Sequence, residues 1–435
     1  MTALCRDIAG DGARPEPLPL VVPPLAEVCF EDSKLTRMAF QRKLSQNSKL
    51  LIQRLEATPL LESRYTDIKC VNTRSGDEAV GFFSLVFSAI DSVDGARVAL
   101  KFFDIDPALA ISQYRLESFR REHEILKGLT GRYRCLQLVS DLQHYVLSVA
   151  IPGGSTFDVI CQFFATEWID DSIEEFFERQ DEYSASEKLK LFDDVLAALG
   201  ALHAAEVAHR DVKPDNLRAK VRALRRAVVA VDMGCAARAD SAHLQANYAG
   251  NVGAAAYSAP EAFCGLAGDR LLARNTDIYA LGCLLFELFN PRLFALALLD
   301  ANPWFELALT RLAIVAAAPA TPQQRRQTWL HEAKNLTRSF KSIDIAASGS
   351  TVPEAVARQL NELLAVMTHP NVSQRTISID RARRTVQVCA KVLSSQEIER
   401  QRVEEARVRR KHRADVLTEK LRRQQTRRLE LQHAN

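Results

Sequence analysis

Apolar residues repeat at helical spacing in several stretches of the chain. Leu189, Phe192, Val195, Leu196, Leu199 and Leu202 follow one another at steps that keep them on one face, which predicts an amphipathic helix with a buried stripe. Glu122, Leu126 and Leu129 mark a second helix beginning near residue 121. Leu363, Leu364, Val366 and Met367 mark a third, and Leu35, Met38, Leu44, Leu51 and Leu55 give one face of a fourth between residues 33 and 55. The short run Val98-Ala99-Leu100-Lys101 reads instead as a strand.

The ends of the chain carry different patterns. Pro15, Pro17, Pro19, Pro23 and Pro24 predict an extended leader; a solvated tail accounts for it, and a proline-motif ligand is the functional alternative. After Ser395 the chain alternates Glu397, Glu399, Arg400, Arg402, Glu404 and Glu405 with Arg407, Arg409, Arg410 and Lys411, which predicts a long exposed helix. Its apolar positions (Ile398, Val403, Ala406, Leu417, Leu421) keep heptad spacing only in patches. A solvated single helix accounts for it; its basic excess also offers a surface to RNA, an acidic partner or anionic lipid.

Composition narrows the class. A chain of 435 residues holds a two-lobed domain with a large core plus extensions. The net charge of +3 makes no general case for binding nucleic acid or membrane. Nine scattered cysteines without C-x-x-C pairs suit reduced thiols in a cytoplasmic setting. No apolar run reaches the roughly eighteen residues of a membrane span, and no secretory signal opens the sequence. The acidic stretch 167–187 reads as a solvated face, or as a selector of basic peptides.

The chemistry concentrates in His209-Arg210-Asp211-Val212-Lys213-Pro214-Asp215-Asn216, followed by Asp232-Met233-Gly234. A candidate base, a cation and two oxygen ligands suited to Mg²⁺ stand here in the order that phosphoryl transfer from ATP requires. These residues resemble the catalytic loop and magnesium motif of eukaryotic-type Ser/Thr protein kinases, and the Ala- and Arg-rich usage suits a bacterial source. The resemblance implies that Asp211 steers the proton of the attacking hydroxyl. Lys213 would offset charge on the γ-phosphate, and Asn216 and Asp232 would hold Mg²⁺, or Mn²⁺ in its place. Met233 replaces the usual Phe with another apolar side chain.

The resemblance extends to both sides of this loop. Lys101 matches the lysine that contacts the α- and β-phosphates; Glu122 is its expected partner, with Glu124 as the competitor. Residues 79–86 align with the glycine-rich loop, keeping only Gly81 of three glycines, with Ala79 and Ser84 at the others, Phe83 at the tip and Val86 beyond it. With Ala99 they would form the ATP site. Aligning Gly153-Gly154-Ser155 with the hinge places Ser148 at the gatekeeper position and the main chain of Val149 and Ile151 against adenine. Tyr257-Ser258-Ala259-Pro260-Glu261 resembles the end of an activation segment, with Arg375 as the partner of Glu261 and Asp277 as a support for the catalytic loop. Ala254 stands where active members of the family usually carry Thr, and Ser241 is the expected autophosphorylation site.

The implied fold is α+β and bilobal: a small antiparallel sheet with one key helix, then a large, mainly helical lobe. The expected boundaries are an N-terminal extension at 1–63, a catalytic domain at 64–393 with the lobes meeting near 150, and a basic helical tail at 394–435. The implied activity is transfer from MgATP to Ser/Thr of a protein substrate. A pseudokinase scaffold and a small-molecule kinase on the same fold are the alternatives.

Overall fold

Strand β1 (Gln41–Lys43) and helix α1 (Gln46–Glu56) lead into the first long strand, β2 (Tyr65–Cys70). The computed structural model describes residues 41–74, 78–80, 84–105, 113–150, 154–222, 225–238, 253–319, 321–347 and 349–433. The proline-rich leader, Gly81, Phe83, Ile151 and Ser241 lie outside these residues. Strands β3 (Thr73–Arg74) and β4 (Glu78–Val80) fold back on β1 as a separate sheet in the order β1-β4-β3. Then follow β5 (Ser84–Asp91), β6 (Arg97–Phe103), helix α2 (Gln113–Leu129), β7 (Gln143–Ala150) and β8 (Thr156–Glu167).

The main sheet of this half is antiparallel, ordered β2-β5-β6-β8-β7. Its period of two decides what each face carries. Leu100 and Phe102 point to one side, where they pack with Phe87, Phe163 and the α1 residues Leu51 and Leu55. Lys101 points to the other, toward α2. Full burial of Leu51 and Leu55 contributes about 1.5–3 kcal/mol each. The Ser48 hydroxyl also donates to Asp104 Oδ1 at 2.7 Å, tying α1 to the end of β6. The helix expected over 33–55 is therefore described only as Gln46–Glu56, and it belongs to the small lobe. Packing shows no break at residue 64.

The second expected boundary also moves. Strand β8 pairs with both β6 and β7, so residues 156–167 belong to the small lobe, and the chain crosses between lobes after Glu167 rather than near 150.

The large lobe begins with β9 (Asp171–Ser172), α3 (Glu175–Glu178) and α4 (Ala185–Ala204). Ser184 and Glu187 form a reciprocal capping box at the start of α4, whose predicted stripe is wholly buried. Strands β10 (Val207–Ala208), β11 (Leu217–Arg222), β12 (Arg225–Ala230) and β13 (Ala237–Arg238) carry the loops of the candidate site. Helix α5 (Ala273–Glu287) is buried at every position from Thr276 onward and forms the axis of the lobe. Around it lie α6 (Phe294–Ala301), α7 (Phe305–Ala317), α8 (Pro322–Leu336) and α9 (Glu354–Met367).

The last helix, α10 (Ile379–His433), is continuous over 55 residues. Ile379, Ala382, Val386, Cys389, Ala390 and Leu393 are buried, and Arg383 Nε donates to Asp193 on α4 at 2.9 Å. From Ser395 onward every described side chain is exposed. Among the described residues, no helix is long and apolar enough to cross a membrane.

Candidate active site

Antiparallel pairing sets Lys101 opposite Val86 on β5 and Phe164 on β8. Its ammonium donates to both oxygens of Glu122 at 2.7 Å and to Asp232 Oδ1 at 2.8 Å. Glu122 is buried beside Leu126 and Leu129 on α2, whereas the Glu124 side chain is 73 % exposed, so the helical stripe selects the partner. The Met233 N–H donates to Glu122 Oε1 at 3.1 Å, and the Met233 side chain is fully buried. One carboxylate thus joins the small lobe to the Asp232-Met233-Gly234 turn.

The charges tune one another. Burial disfavours a charged Lys101, but the Asp232 and Glu122 carboxylates outweigh it and hold the ammonium more basic than usual. Partial desolvation in the cleft pushes the Asp232 carboxyl up, although half its side chain stays exposed; Lys101, then Lys213 and His209, overcome this and bring it down to about 2. Burial raises Glu122, with the neighbouring Asp232 carboxylate adding to it against the pull of Lys101.

The catalytic loop is held from three sides. Asn216 Nδ2 donates to Asp211 Oδ2 at 2.9 Å and to the Asp211 carbonyl at 2.8 Å. Lys213 Nζ lies 3.7 Å from Asp211 Oδ2; burial opposes its charge, but Asp211, Asp215 and Asp232 keep it more basic than usual. Below the loop, Asp277 Oδ1 accepts from the Arg210 N–H at 2.7 Å, and Oδ2 accepts from the His209 N–H at 2.8 Å. His203 Nε2 lies 2.8 Å from the same Oδ2. Arg210 and Asp232 both adopt left-handed backbone, φ 65° and 57°. That conformation stores about 1–3 kcal/mol at a non-glycine residue, which Asp277 and the pairing with Lys101 offset.

The Arg210 guanidinium donates to the carbonyls of Cys235 at 2.6 Å and Ala267 at 3.1 Å. Further on, Arg375 and Glu261 form a bidentate ion pair with no solvent exposure on either side chain. Arg375 also donates to the carbonyls of His369 and Asn275, both at 2.8 Å, so its donors are well used.

Not every predicted residue joins the site. Val86, Ala99 and Lys101 share one face, with Thr166 opposite Ala99. Val149 and Ser148, however, sit on the edge strand β7, paired with Phe157 and Asp158, and Ser148 donates to Asp158 Oδ1 at 2.6 Å. Gly154 lies between the paired strands β7 and β8, within the small-lobe sheet and not at a crossing between lobes; Gly153 lies outside the described residues. The segment that crosses between the lobes is 168–170, where Ile169 is buried and the Arg97 guanidinium lies 4.2 Å over the Trp168 ring. A second apolar run, Val159 to Ala165, was the signal for it. Ala79 also departs from expectation: it pairs with Arg42 and Thr73 within the small sheet and is not part of a free loop.

The donor set suits a hard divalent cation. Asp232 is anionic far below neutral pH and its side chain is 53 % exposed, while Asn216 commits its amide nitrogen to Asp211 and keeps its carbonyl oxygen as a ligand. Asn216 and Asp232 are the residues that would hold Mg²⁺.

A family model described as protein kinase domain matches residues 79–387. A probable serine/threonine-protein kinase of Streptomyces coelicolor is 31% identical over 216 residues, covering 49% of this chain and 29% of that protein. Calcium-dependent protein kinase 29 of Arabidopsis thaliana is 24% identical over 237 residues, covering 53% and 39%. The calcium/calmodulin-dependent protein kinase type II alpha chain of Drosophila melanogaster is 25% identical over 295 residues, covering 66% and 48%. This chain therefore spans less than half the length of each of these relatives. With the matched span enclosing Lys101, Glu122, Asp211, Asn216 and Asp232, the chain belongs to the protein kinase domain family.

Proposed function

We propose that this chain transfers the γ-phosphoryl group of MgATP to Ser or Thr hydroxyls of a protein substrate. The observation that carries the reading is the convergence of Lys101, Glu122 and Asp232 beside the Asp211 loop. Lys101 moves from Asp232 onto the α- and β-phosphates, while Glu122 keeps it in place. Asp211 orients the acceptor hydroxyl and receives its proton as the oxygen bonds to phosphorus and the bond to the ADP oxygen breaks. Lys213 offsets charge on the transferred group. When bound, Mg²⁺ neutralises phosphate charge and aligns the phosphates. The face formed by Val86 and Ala99 receives the adenine ring, with main chain at 167–169 as its edge partner. Lys213-Pro214-Asp215-Asn216 follows the Ser/Thr form of the loop.

Incubation with γ-labelled MgATP tests this. Wild type labels an acceptor protein, whereas Asp211→Ala and Lys101→Met lose the label. A scaffold reading draws on Ala79 lying in a paired strand and on the missing hydroxyl at Ala254; it predicts equal background from all three proteins. Autophosphorylation at Ser241 belongs to the same proposal, and mass spectrometry that finds phosphate only at other residues would reject it.

A further inference from the structure

The activation segment of this chain reaches the catalytic base through its main chain. The Ala254 N–H donates to Asp211 Oδ1 at 2.7 Å, while Asn216 takes Oδ2 at 2.9 Å. The carbonyl of Ala254 is fixed in turn, accepting from the Tyr257 N–H and the Ser258 hydroxyl, both at 3.0 Å. Gly253 brings this amide so close. Its φ is +85°, and a Cβ there would overlap the Arg210 carbonyl oxygen and stand 3.0 Å from Asp211 Oδ1. Only glycine fits both the backbone angle and the space.

We propose that Gly253 and the Ala254 N–H are positioning elements that hold Asp211 in its catalytic rotamer, replacing the side-chain hydroxyl this position lacks. Fixing one carboxylate oxygen with the amide and the other with Asn216 leaves Asp211 no free rotation. Its remaining lone pairs then face a constant direction for the acceptor hydroxyl. An amide is a stiffer donor than a Thr hydroxyl, since it adds no rotor of its own. The proposal rests on the kinase reading above.

The backbone at Ala254 (φ −72°) itself suits proline, so Ala254→Pro deletes the N–H and sets the ring Cδ against Asp211 Oδ1, which breaks this contact at its own place in the fold. With MgATP and myelin basic protein as acceptor, Ala254→Pro should lower kcat at least about 10-fold, the loss of one hydrogen bond to a charged group with the carboxylate displaced besides. The KM for ATP and the thermal midpoint should stay near wild type, since Lys101 and Asp232 are untouched. Ala254→Ser, which restores the N–H, should recover the rate, and Gly253→Ala should lose kcat as Ala254→Pro does. A folded Ala254→Pro with kcat within about threefold of wild type would overturn the proposal, as would a parallel loss of ATP affinity. Wild type that transfers no phosphate would instead sink the kinase reading, and this inference with it.

Discussion

Lys101 and Asp232 lie 131 positions apart in the chain, yet their side chains meet at 2.8 Å. The lysine comes from a sheet of the small lobe and the aspartate from a turn of the large one. Their ion pair closes the cleft between the lobes at the place where a triphosphate would separate them. Glu122 holds the same ammonium through both of its carboxylate oxygens, so the lysine keeps a partner that does not depend on Asp232.

Glu122→Gln should keep the shape of that contact and remove its charge. We expect kcat/KM for ATP to fall about 10-fold, against 100-fold or more for Lys101→Met, which removes the cation altogether. Steady-state kinetics at varied ATP separates the two effects.

The pair of Glu261 and Arg375 should be a stability element. Removing one partner strands a buried charge, so Arg375→Ala or Glu261→Ala should each cost about 3–5 kcal/mol. The double variant should cost less than the sum of the two. Urea unfolding of the three proteins provides the cycle.

Acid should weaken the support under the catalytic loop. Burial pushes the Asp277 carboxyl up, but His203, His209 and the Arg210 N–H reverse this and hold it below its ordinary 3.8. Its folded form therefore releases a proton more readily than its unfolded form. The resulting stabilisation is complete above the ordinary value and fades as pH falls through the depressed one. Asp277→Asn should be less stable than wild type near neutrality, and the gap should narrow below about pH 4. Unfolding curves at about pH 7, 4 and 3 check the sign.

Cutting α10 at two places should give opposite results. Ending the chain after Ser395 removes helix whose described side chains are all exposed and should change stability by about 0.5 kcal/mol or less. Ending it before Ile379 removes the six buried residues through Leu393 and should leave the large lobe unfolded. Thermal melts of both truncations decide it.

What the sequence conveyed depended on how local each signal was. The loop around Asp211 is eight residues read in order, and Glu122 was separable from Glu124 because one helical face carries Leu126 and Leu129. Arg375 could be matched to Glu261 only through resemblance, since nothing in spacing alone joins residues 114 apart. A glycine pair marks hairpin turns and hinges alike, so the sequence does not place the crossing segment, and only the pairing of β7 with β8 puts Gly154 between two strands of one sheet. Helix α1 was cut off from the domain because its partners, Phe87, Phe102 and Phe163, come from strands far along the chain. The small sheet of β1, β3 and β4 had no signal either, as two- and three-residue strands show no periodicity.

The most direct test is titration of the full chain with ATP, with and without Mg²⁺, beside Lys101→Met and Asp232→Asn. Wild type should bind more tightly with the metal, Lys101→Met should weaken binding in both conditions, and Asp232→Asn should lose the benefit of Mg²⁺. Equal affinities in all three proteins, or no binding by wild type, would contradict a nucleotide site built between these two side chains.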